Sequence, residues 1–294
     1  MLNLLKRYVY EEDYFMGRKI LIIGGVAGGA SAAARLRRNN EDDQIIMFER
    51  GPHVSFSNCS LPYHLSGIIQ DSDDLILMNP ELFLQQYNID ARINSEVIAI
   101  DRQNRTVTVR KVDTEEEYTE SYDKLILSPG AYPIVPKLPG IDKVNIFTVR
   151  NVVDIDKLNQ FIKKMKTKEV TVIGGGFIGV EVAENLSAGG YYVSLVEATD
   201  QILRPFDYDM VQIFHKVLID HKVNLILGDK VEKFEKDNVV LASGKTLNAE
   251  AVVMAIGVSP ETYLAKEAGL EIGETGAIKV DKNYRTNDPD IYAV

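Results

Sequence analysis

The sequence predicts an α/β protein made of two similar units, because one pattern of buried strand, glycine turn, helix and second strand occurs twice. The first copy is KILIIGGVAGGASAAARLRRNN followed by QIIMFER, and the second is VTVIGGGFIGVEVAENLSAGG followed by YYVSLVEATD. Each second strand ends at an acid, Glu49 or Glu197. Later in each half, alternating strands precede an apolar strand closed by glycine, DKLILSPG and AVVMAIG.

Composition excludes several classes of protein. The chain has 294 residues, 45% of them hydrophobic, which is enough for two globular domains. A net charge of -10 disfavours binding to nucleic acid or to an anionic membrane, so an anionic ligand needs a local basic patch. The single cysteine excludes an internal disulfide and a cysteine-rich zinc site. We therefore expect a cytoplasmic protein with no metal, nucleic-acid or membrane partner.

The beginning of the chain carries no targeting signal that we recognise. Its apolar runs are much shorter than the roughly 20 residues that span a bilayer. The first fifteen residues, MLNLLKRYVYEEDYF, contain five charged side chains and so lack the core of a signal peptide. We interpret residues 1–15 as an N-terminal extension and expect the first domain to begin at residue 16.

The second glycine turn matches a dinucleotide-binding fingerprint. Gly174, Gly176 and Gly179 have the spacing G-x-G-x-x-G, and Glu197 lies at the end of the next strand. Such glycines let a pyrophosphate approach the backbone at the start of a helix, while the acid binds a ribose diol. Because a carboxylate repels a 2'-phosphate and no arginine is adjacent to Glu197 in the sequence, NADH is predicted over NADPH.

The first glycine turn departs from this fingerprint. Gly24 and Gly29 occupy the outer positions, but Val26 stands in the middle one, with further glycines at Gly25 and Gly28. The alternative is that both turns only pack helices onto sheets. Two copies in register, each with its acid, favour two dinucleotide sites.

Four motifs in order resemble a known family: GGVAGG, SFSNCSLPY, GGGFIGVEVAENL and YRTNDPDIYAV. They are similar to the single-cysteine branch of the pyridine nucleotide-disulfide oxidoreductases, especially coenzyme A-disulfide reductases and NADH-dependent persulfide reductases. The resemblance runs from about Gly17 to Val294. It implies two Rossmann-like domains, with an NAD(P) domain at 148–261 inserted in an FAD domain at 16–147 and 262–294.

The end of the chain differs from the family pattern. The resemblance implies that a glycine-aspartate pair for the flavin and a C-terminal dimerisation domain follow the last motif, and neither is present. We therefore expect a fragment of a longer protein that forms a homodimer. A catalytically inert nucleotide-binding fragment is an alternative reading.

Cys59 is the candidate redox nucleophile. It lies in a polar stretch with Ser55 and Asn58, whereas a packing cysteine is usually flanked by apolar residues. A free thiol has a pKa near about 8.5, so a helix N-terminus, Asn58 and Ser55, or the flavin must stabilise the thiolate. His64 is a possible base, although a histidine in such a loop is more often a surface or packing residue.

The resemblance implies that Cys59 lies over FAD and receives electrons that NADH delivers. Because the 294 residues contain no second cysteine, the partner sulfur must come from the substrate, a small disulfide or persulfide. The resemblance implies that this substrate is a coenzyme A derivative. An NADH oxidase or peroxidase is the alternative within the family. Peroxidase relatives have a histidine where this chain has Ala27, which disfavours that alternative.

A basic helix face is the candidate site for coenzyme A phosphates. Arg35 and Arg38 are three residues apart and share a face of the first helix, while Arg37 points elsewhere. The resemblance implies that this face contacts the nucleotide, although a solvated helix end is the alternative. The expected substrate-binding residues are Ser31, Arg35, Arg38, Ser55 and Asn58.

The family resemblance also gives an expected set of cofactor residues. Phe177 matches an aromatic that covers the flavin until nicotinamide arrives, and Glu181 is expected near the nicotinamide. The alternatives are a packing aromatic and a surface acid. The complete set is Gly24, Gly25, Ala27, Gly28, Gly29, Glu49, Arg50, Pro129, Gly130, Gly174, Gly176, Phe177, Ile178, Gly179, Glu181, Glu197 and Gly257.

Local signals predict where some helices begin and end. Asn79-Pro80 and Ser259-Pro260 each predict an N-cap followed by proline at the first helical position. Gly269 predicts a helix end.

Overall fold

The computed structural model describes residues 17–294, so the predicted extension at residues 1–15 lies outside the described residues. The first part of the chain contains β1 Lys19–Ile23, α1 Ala27–Asn39, β2 Gln44–Phe48, α2 Pro80–Tyr87, β3 Ile89–Arg92, β4 Ser95–Asp101, β5 Thr106–Lys111, β6 Glu117–Ser121, β7 Lys124–Leu127 and β8 Ala131–Pro133. A 3₁₀ helix, Asn58–His64, carries Cys59 and is called the cysteine helix below.

The rest of the chain completes a second unit and then returns to the first. Its elements are β9 Asn145–Phe147, α3 Val152–Ile162, β10 Glu169–Ile173, α4 Phe177–Ala188, β11 Tyr192–Val196, α5 Tyr208–Asp220, β12 Asn224–Ile226, β13 Val231–Glu235, β14 Asn238–Leu241, β15 Thr246–Asn248, β16 Ala251–Met254, β17 Val258–Pro260, α6 Tyr263–Glu267 and β18 Ile291–Ala293.

Two parallel five-stranded sheets form the framework. The first has the order β18-β7-β1-β2-β3 and the second the order β12-β11-β10-β16-β9. In both sheets the strand before the glycine turn is central, paired on one side with the strand that ends in the acid. Because β18 pairs with β7, the last residues return to the first sheet after the whole second unit. The predicted α/β fold with one unit inserted in the other is confirmed.

Strand β1 is apolar from Ile20 to Ile23 because both of its faces are buried there. Ile20 and Ile22 face one hydrophobic cluster, and Leu21 and Ile23 face another. Successive side chains of a strand point to opposite faces, so a parallel strand covered on both sides has no position left for a polar residue. The apolar runs in the sequence therefore mark the centres of the sheets.

The cysteine helix joins the two units through a shared core. Leu61 and Leu65 belong to the same buried cluster as Ile155 and Leu158 of α3 and Leu186 of α4. The segment that carries Cys59 is thus packed against the second unit, although it follows β2 of the first. This packing fixes the thiol near the boundary between the units.

Two of the three predicted helix signals are confirmed. Asn79 Oδ1 accepts a hydrogen bond from the Leu82 amide at 2.8 Å, with Pro80 opening α2. Gly269 follows α6 at a φ of +72°, a conformation that favours glycine.

The Ser259-Pro260 prediction is wrong. Both residues lie in β17, which pairs antiparallel with Ala131–Pro133 of β8. Proline is tolerated at the end of a strand in a two-stranded ribbon, because its missing amide breaks no ladder there. The following helix begins at Tyr263.

The edge of the second sheet includes residues that the sequence assigned to the first domain. Asn145–Phe147 form β9 and pair with β16, just before the predicted boundary between 147 and 148. Within the described residues, no helix combines the length and the apolar character needed to cross a membrane.

Candidate functional site

A cavity of about 960 Å³ lies between the two units. It is lined by the first glycine turn, the cysteine helix, the end of β7 and the first turn of α4. Many of the predicted site residues meet here, namely Gly24, Ala27, Gly28, Glu49, Arg50, Asn58, Cys59, Pro129, Gly130, Phe177, Ile178, Glu181 and Gly257.

The outer glycines of both turns are required by close backbone packing. A Cβ on Gly29 would overlap the carbonyl oxygen of Gly24, and one on Gly179 would overlap that of Gly174. Gly24 and Gly174 also have φ values of +100° and +107°, which residues other than glycine rarely adopt. These four glycines bring each helix against its strand.

Gly176 has a different role, because a Cβ there would meet no protein atom within 4 Å. Internal packing therefore does not explain its lack of a side chain. An open glycine at the N-terminus of α4 fits the approach of a pyrophosphate to free backbone amides. The second turn thus has the shape that a dinucleotide needs.

The two acids occupy equivalent positions. Glu49 accepts hydrogen bonds from the Gly25 amide at 3.0 Å and the Gly51 amide at 2.9 Å. Glu197 accepts from the Gly175 amide at 2.7 Å and the Thr199 amide at 2.9 Å. Backbone donors fix both carboxylates beside the glycine turns, where a ribose attached to a bound pyrophosphate would lie.

Three arginines line the cavity, Arg50, Arg110 and Arg150, of which Arg110 is paired with Glu96. Arg50, one of the expected cofactor residues, is exposed in the cavity wall. Arg150 is half-buried, and its Nη2 donates to the Pro129 carbonyl at 3.4 Å. Burial, and then the charge of Arg50, lowers the pKa of the Arg150 guanidinium. The sequence analysis missed Arg150, which lies three residues after the end of β9 at the carboxyl edge of the second sheet. No sequence signal marks it, because β9 has only three residues.

Cys59 is an exposed free thiol in the cavity wall. It is the second residue of the cysteine helix and lies beside Asn58. Ser55 precedes the helix in a strained backbone conformation with a φ of +48°. Its amide donates to the Gly25 carbonyl at 2.8 Å, so the cysteine segment is tied directly to the first glycine turn.

His64 does not face the cavity. It is 7% exposed, and its Nδ1 lies 2.9 Å from the Ile69 carbonyl oxygen. Its Nε2 lies 2.6 Å from Nδ2 of Asn159 on α3. The packing interpretation of His64 therefore fits the structure better than a role as the base for Cys59.

The basic face of α1 forms as expected. Ser31, Arg35 and Arg38 are exposed at helical spacing, outside the lining of the cavity. Arg37 turns inward and donates to the carbonyls of Tyr87 and Asn88 at 2.8 and 2.9 Å. Arg35 and Arg38, the two predicted phosphate-binding residues, therefore lie on the exposed face of α1, whereas Arg37 has a structural role inside the protein.

Two side chains from α4, those of Phe177 and Glu181, also line the cavity. Phe177 is 57% exposed and contacts Phe206 edge-on, with 6.0 Å between ring centroids. Its exposure argues against the packing interpretation. Burial, and then the charge of Glu184, raises the pKa of the Glu181 carboxyl. A water-facing aromatic and a partly desolvated acid line the side of the cavity next to the second nucleotide turn.

Comparison with known proteins defines the class. The pattern of the family described as pyridine nucleotide-disulphide oxidoreductase matches residues 18–294. The chain belongs to this family, which confirms the resemblance seen in the sequence.

Individual relatives narrow the comparison. The chain is 35% identical over 277 residues to coenzyme A disulfide reductase of Staphylococcus haemolyticus, covering 94% of this chain and 62% of the relative. Reduced CoADR-RHD of Bacillus anthracis is 47% identical, with a TM-score of 0.92 over 95% of this chain and 50% of that one. An NAD-dependent persulfide reductase from A. fulgidus is 34% identical, with a TM-score of 0.89 over 94% and 52%. The chain therefore spans between half and two thirds of the length of these proteins.

Proposed function

We propose that the full-length protein is a flavoenzyme that reduces a small disulfide or persulfide derived from coenzyme A, with NADH as the electron donor. The observation that carries the proposal is the position of Cys59, the only cysteine of the chain, in a cavity between two dinucleotide-type turns. Bound FAD would supply two-electron transfer from NADH to sulfur. In the net reaction, NADH, a proton and a disulfide give NAD⁺ and two thiols.

Residues of the first unit are proposed to hold FAD. The glycine turn at 24–29 and the segments after β2 and β7 line the cavity, with Glu49, Arg50, Pro129 and Gly130 in its wall. Glu49 would bind the ribose diol, and the cations Arg50 and Arg150 would face the phosphates.

Residues of the second unit are proposed to hold NADH. Gly174, Gly176 and Gly179 would accommodate its pyrophosphate, and Glu197 its adenosine ribose. Phe177, Ile178, Glu181 and Gly257 line the common cavity, so the nicotinamide would reach it past the exposed Phe177 ring.

The chain's own sulfur is proposed to carry out the substrate chemistry. A Cys59 thiolate attacks the disulfide, forms a mixed disulfide and releases one thiolate, which takes up a proton to become the first thiol. Two electrons and a second proton then cleave the mixed disulfide, releasing the second thiol and restoring the Cys59 thiolate. Ser31, Arg35, Arg38, Ser55 and Asn58 are proposed to bind the substrate, the arginines through its phosphates.

Mass spectrometry of the intact full-length protein tests this function. Incubation with coenzyme A disulfide should add one coenzyme A to the protein, and a reductant should remove it. Because Cys59 is the only cysteine in the 294 residues, the Cys59→Ser variant should gain no mass in this part of the chain. A purified protein without flavin absorbance would favour an inert nucleotide-binding fragment instead.

A further inference from the structure

We propose that His64 and Asn159 are positioning residues for Cys59. The buried hydrogen bond between His64 and Asn159 fixes the cysteine helix against the second unit. The inference rests on the proposed function of Cys59. It assigns a role to two residues that are 95 positions apart in the sequence and that do not line the cavity in which the thiol lies.

The hydrogen-bond partners fix the tautomer of His64. The Ile69 carbonyl oxygen can only accept, so Nδ1 at 2.9 Å from it carries the ring proton. In the neutral ring Nε2 is then an acceptor, and Asn159 Nδ2 donates to it at 2.6 Å. The Asp156 carboxylate, also on α3, lies 3.7 Å from the same Nε2. His64 and Asn159 are only 7% and 6% exposed, so water cannot replace either partner without opening the interface.

A second polar pair holds the same segment to α4. Ser66 donates to Asn185 Oδ1 at 2.8 Å, and Asn185 Nδ2 donates to the Glu181 carbonyl at 2.9 Å. Glu181 itself lines the cavity. The cysteine helix, α3 and the cavity end of α4 are therefore held together, which sets the position of the sulfur relative to the second unit.

The cysteine helix needs such support because it is short. It has seven residues, contains Pro62 and has 3₁₀ geometry, in which the hydrogen bonds are poorly aligned. Leu61 and Leu65 anchor it by apolar contact, which tolerates small rotations, whereas a buried hydrogen bond specifies one orientation. A displacement of about 1 Å at a reacting centre can lower a rate by about 100-fold.

His215 provides a matched control. It is also 7% exposed, and its Nε2 accepts from the Ile202 amide at 3.3 Å, within the second unit. His215→Phe therefore disturbs a similarly buried histidine without touching the cysteine helix. His64→Gln is the conservative variant, since its side-chain oxygen can still accept from Asn159.

The test uses the full-length, flavin-containing protein in stopped-flow experiments. Flavin bleaching by NADH should stay within about twofold of wild type in every variant. The rate of flavin reoxidation by the disulfide should fall about tenfold or more in His64→Phe and Asn159→Leu. In His64→Gln and His215→Phe this rate should stay within about threefold of wild type. The long-wavelength absorbance of a thiolate in contact with oxidised flavin should weaken only in the first two.

Two results would overturn the inference. One is a wild-type reoxidation rate in Asn159→Leu, and the other is an equal loss in His64→Phe and His215→Phe. If His64→Phe does not fold, Asn159→Leu and Asn159→Ser carry the same prediction. A Cys59→Ser variant that keeps turnover refutes the proposed function itself. If Cys59→Ser loses turnover but Asn159→Leu is reoxidised at the wild-type rate, only the positioning role is refuted.

Discussion

Replacing Glu197 with alanine should remove the preference for NADH. The Glu197 carboxylate is fixed by the Gly175 amide at 2.7 Å and the Thr199 amide at 2.9 Å, beside the turn that would hold the pyrophosphate. A hydrogen bond from a ribose hydroxyl to a charged carboxylate contributes about 1.5–3 kcal/mol, which is about 10- to 150-fold in kcat/KM. NADPH should lose little, because the carboxylate repels its 2'-phosphate.

The same substitution also leaves two turn amides without an acceptor, which costs about 1–3 kcal/mol of stability. Glu49→Ala controls for this effect, because Glu49 accepts from the Gly25 and Gly51 amides in the same way. Both variants should lose stability, but Glu49→Ala should weaken flavin retention and leave the NADH-to-NADPH ratio unchanged.

The assay is flavin reduction by each nucleotide in the full-length protein, measured as kcat/KM. The reasoning is refuted if Glu197→Ala keeps the wild-type ratio, or if Glu49→Ala changes that ratio by the same factor. A general loss of activity with both nucleotides would show that Glu197 acts only on the turn.

Two further predictions concern charge. Arg38→Ala should raise KM for coenzyme A disulfide by about 10- to 100-fold, as expected for one lost phosphate contact. Arg285 is also exposed, and Arg285→Ala should leave this KM unchanged. An equal rise in KM for a disulfide without phosphates in Arg38→Ala would contradict the prediction. Asp290 pairs with Lys124 at 2.6 Å, and this hydrogen bond lowers the pKa of its carboxyl. Its stabilising effect is therefore present at neutral pH and lost as the pH falls through the folded-state pKa. Asp290→Asn should lower Tm at pH 7 and converge with wild type once the pH is below that pKa. A Tm difference that persists unchanged in acid would contradict that sign.

The parts of the fold that the sequence predicted depend on local patterns. A buried strand, a glycine turn and a helix are contiguous, so the units around Gly24 and Gly174 could be recognised without knowledge of distant contacts. The glycines of the first turn followed from the same signals, because the ends of parallel strands and the starts of their helices meet at one edge of a sheet. The α4 residues Phe177 and Glu181 were expected from the family resemblance.

The parts that the sequence did not predict depend on contacts between distant segments. Pro260 carries a helix-start signal, but pairing with β8 places it in a strand. Arg150 enters the cavity because β9 joins the second sheet, and β9 is too short to give a periodic pattern. The bond between His64 and Asn159 crosses from one unit to the other, so no local pattern contains it.

Separation of the two half-reactions in a Cys59→Ser variant of the full-length protein tests the central claim most directly. NADH should still bleach the flavin at the wild-type rate, because that step needs no sulfur. Reoxidation by coenzyme A disulfide or by the persulfide should fall to background, because serine cannot form the mixed disulfide. Turnover of the disulfide at the wild-type rate by Cys59→Ser would contradict the account and leave Cys59 as a residue without a catalytic role.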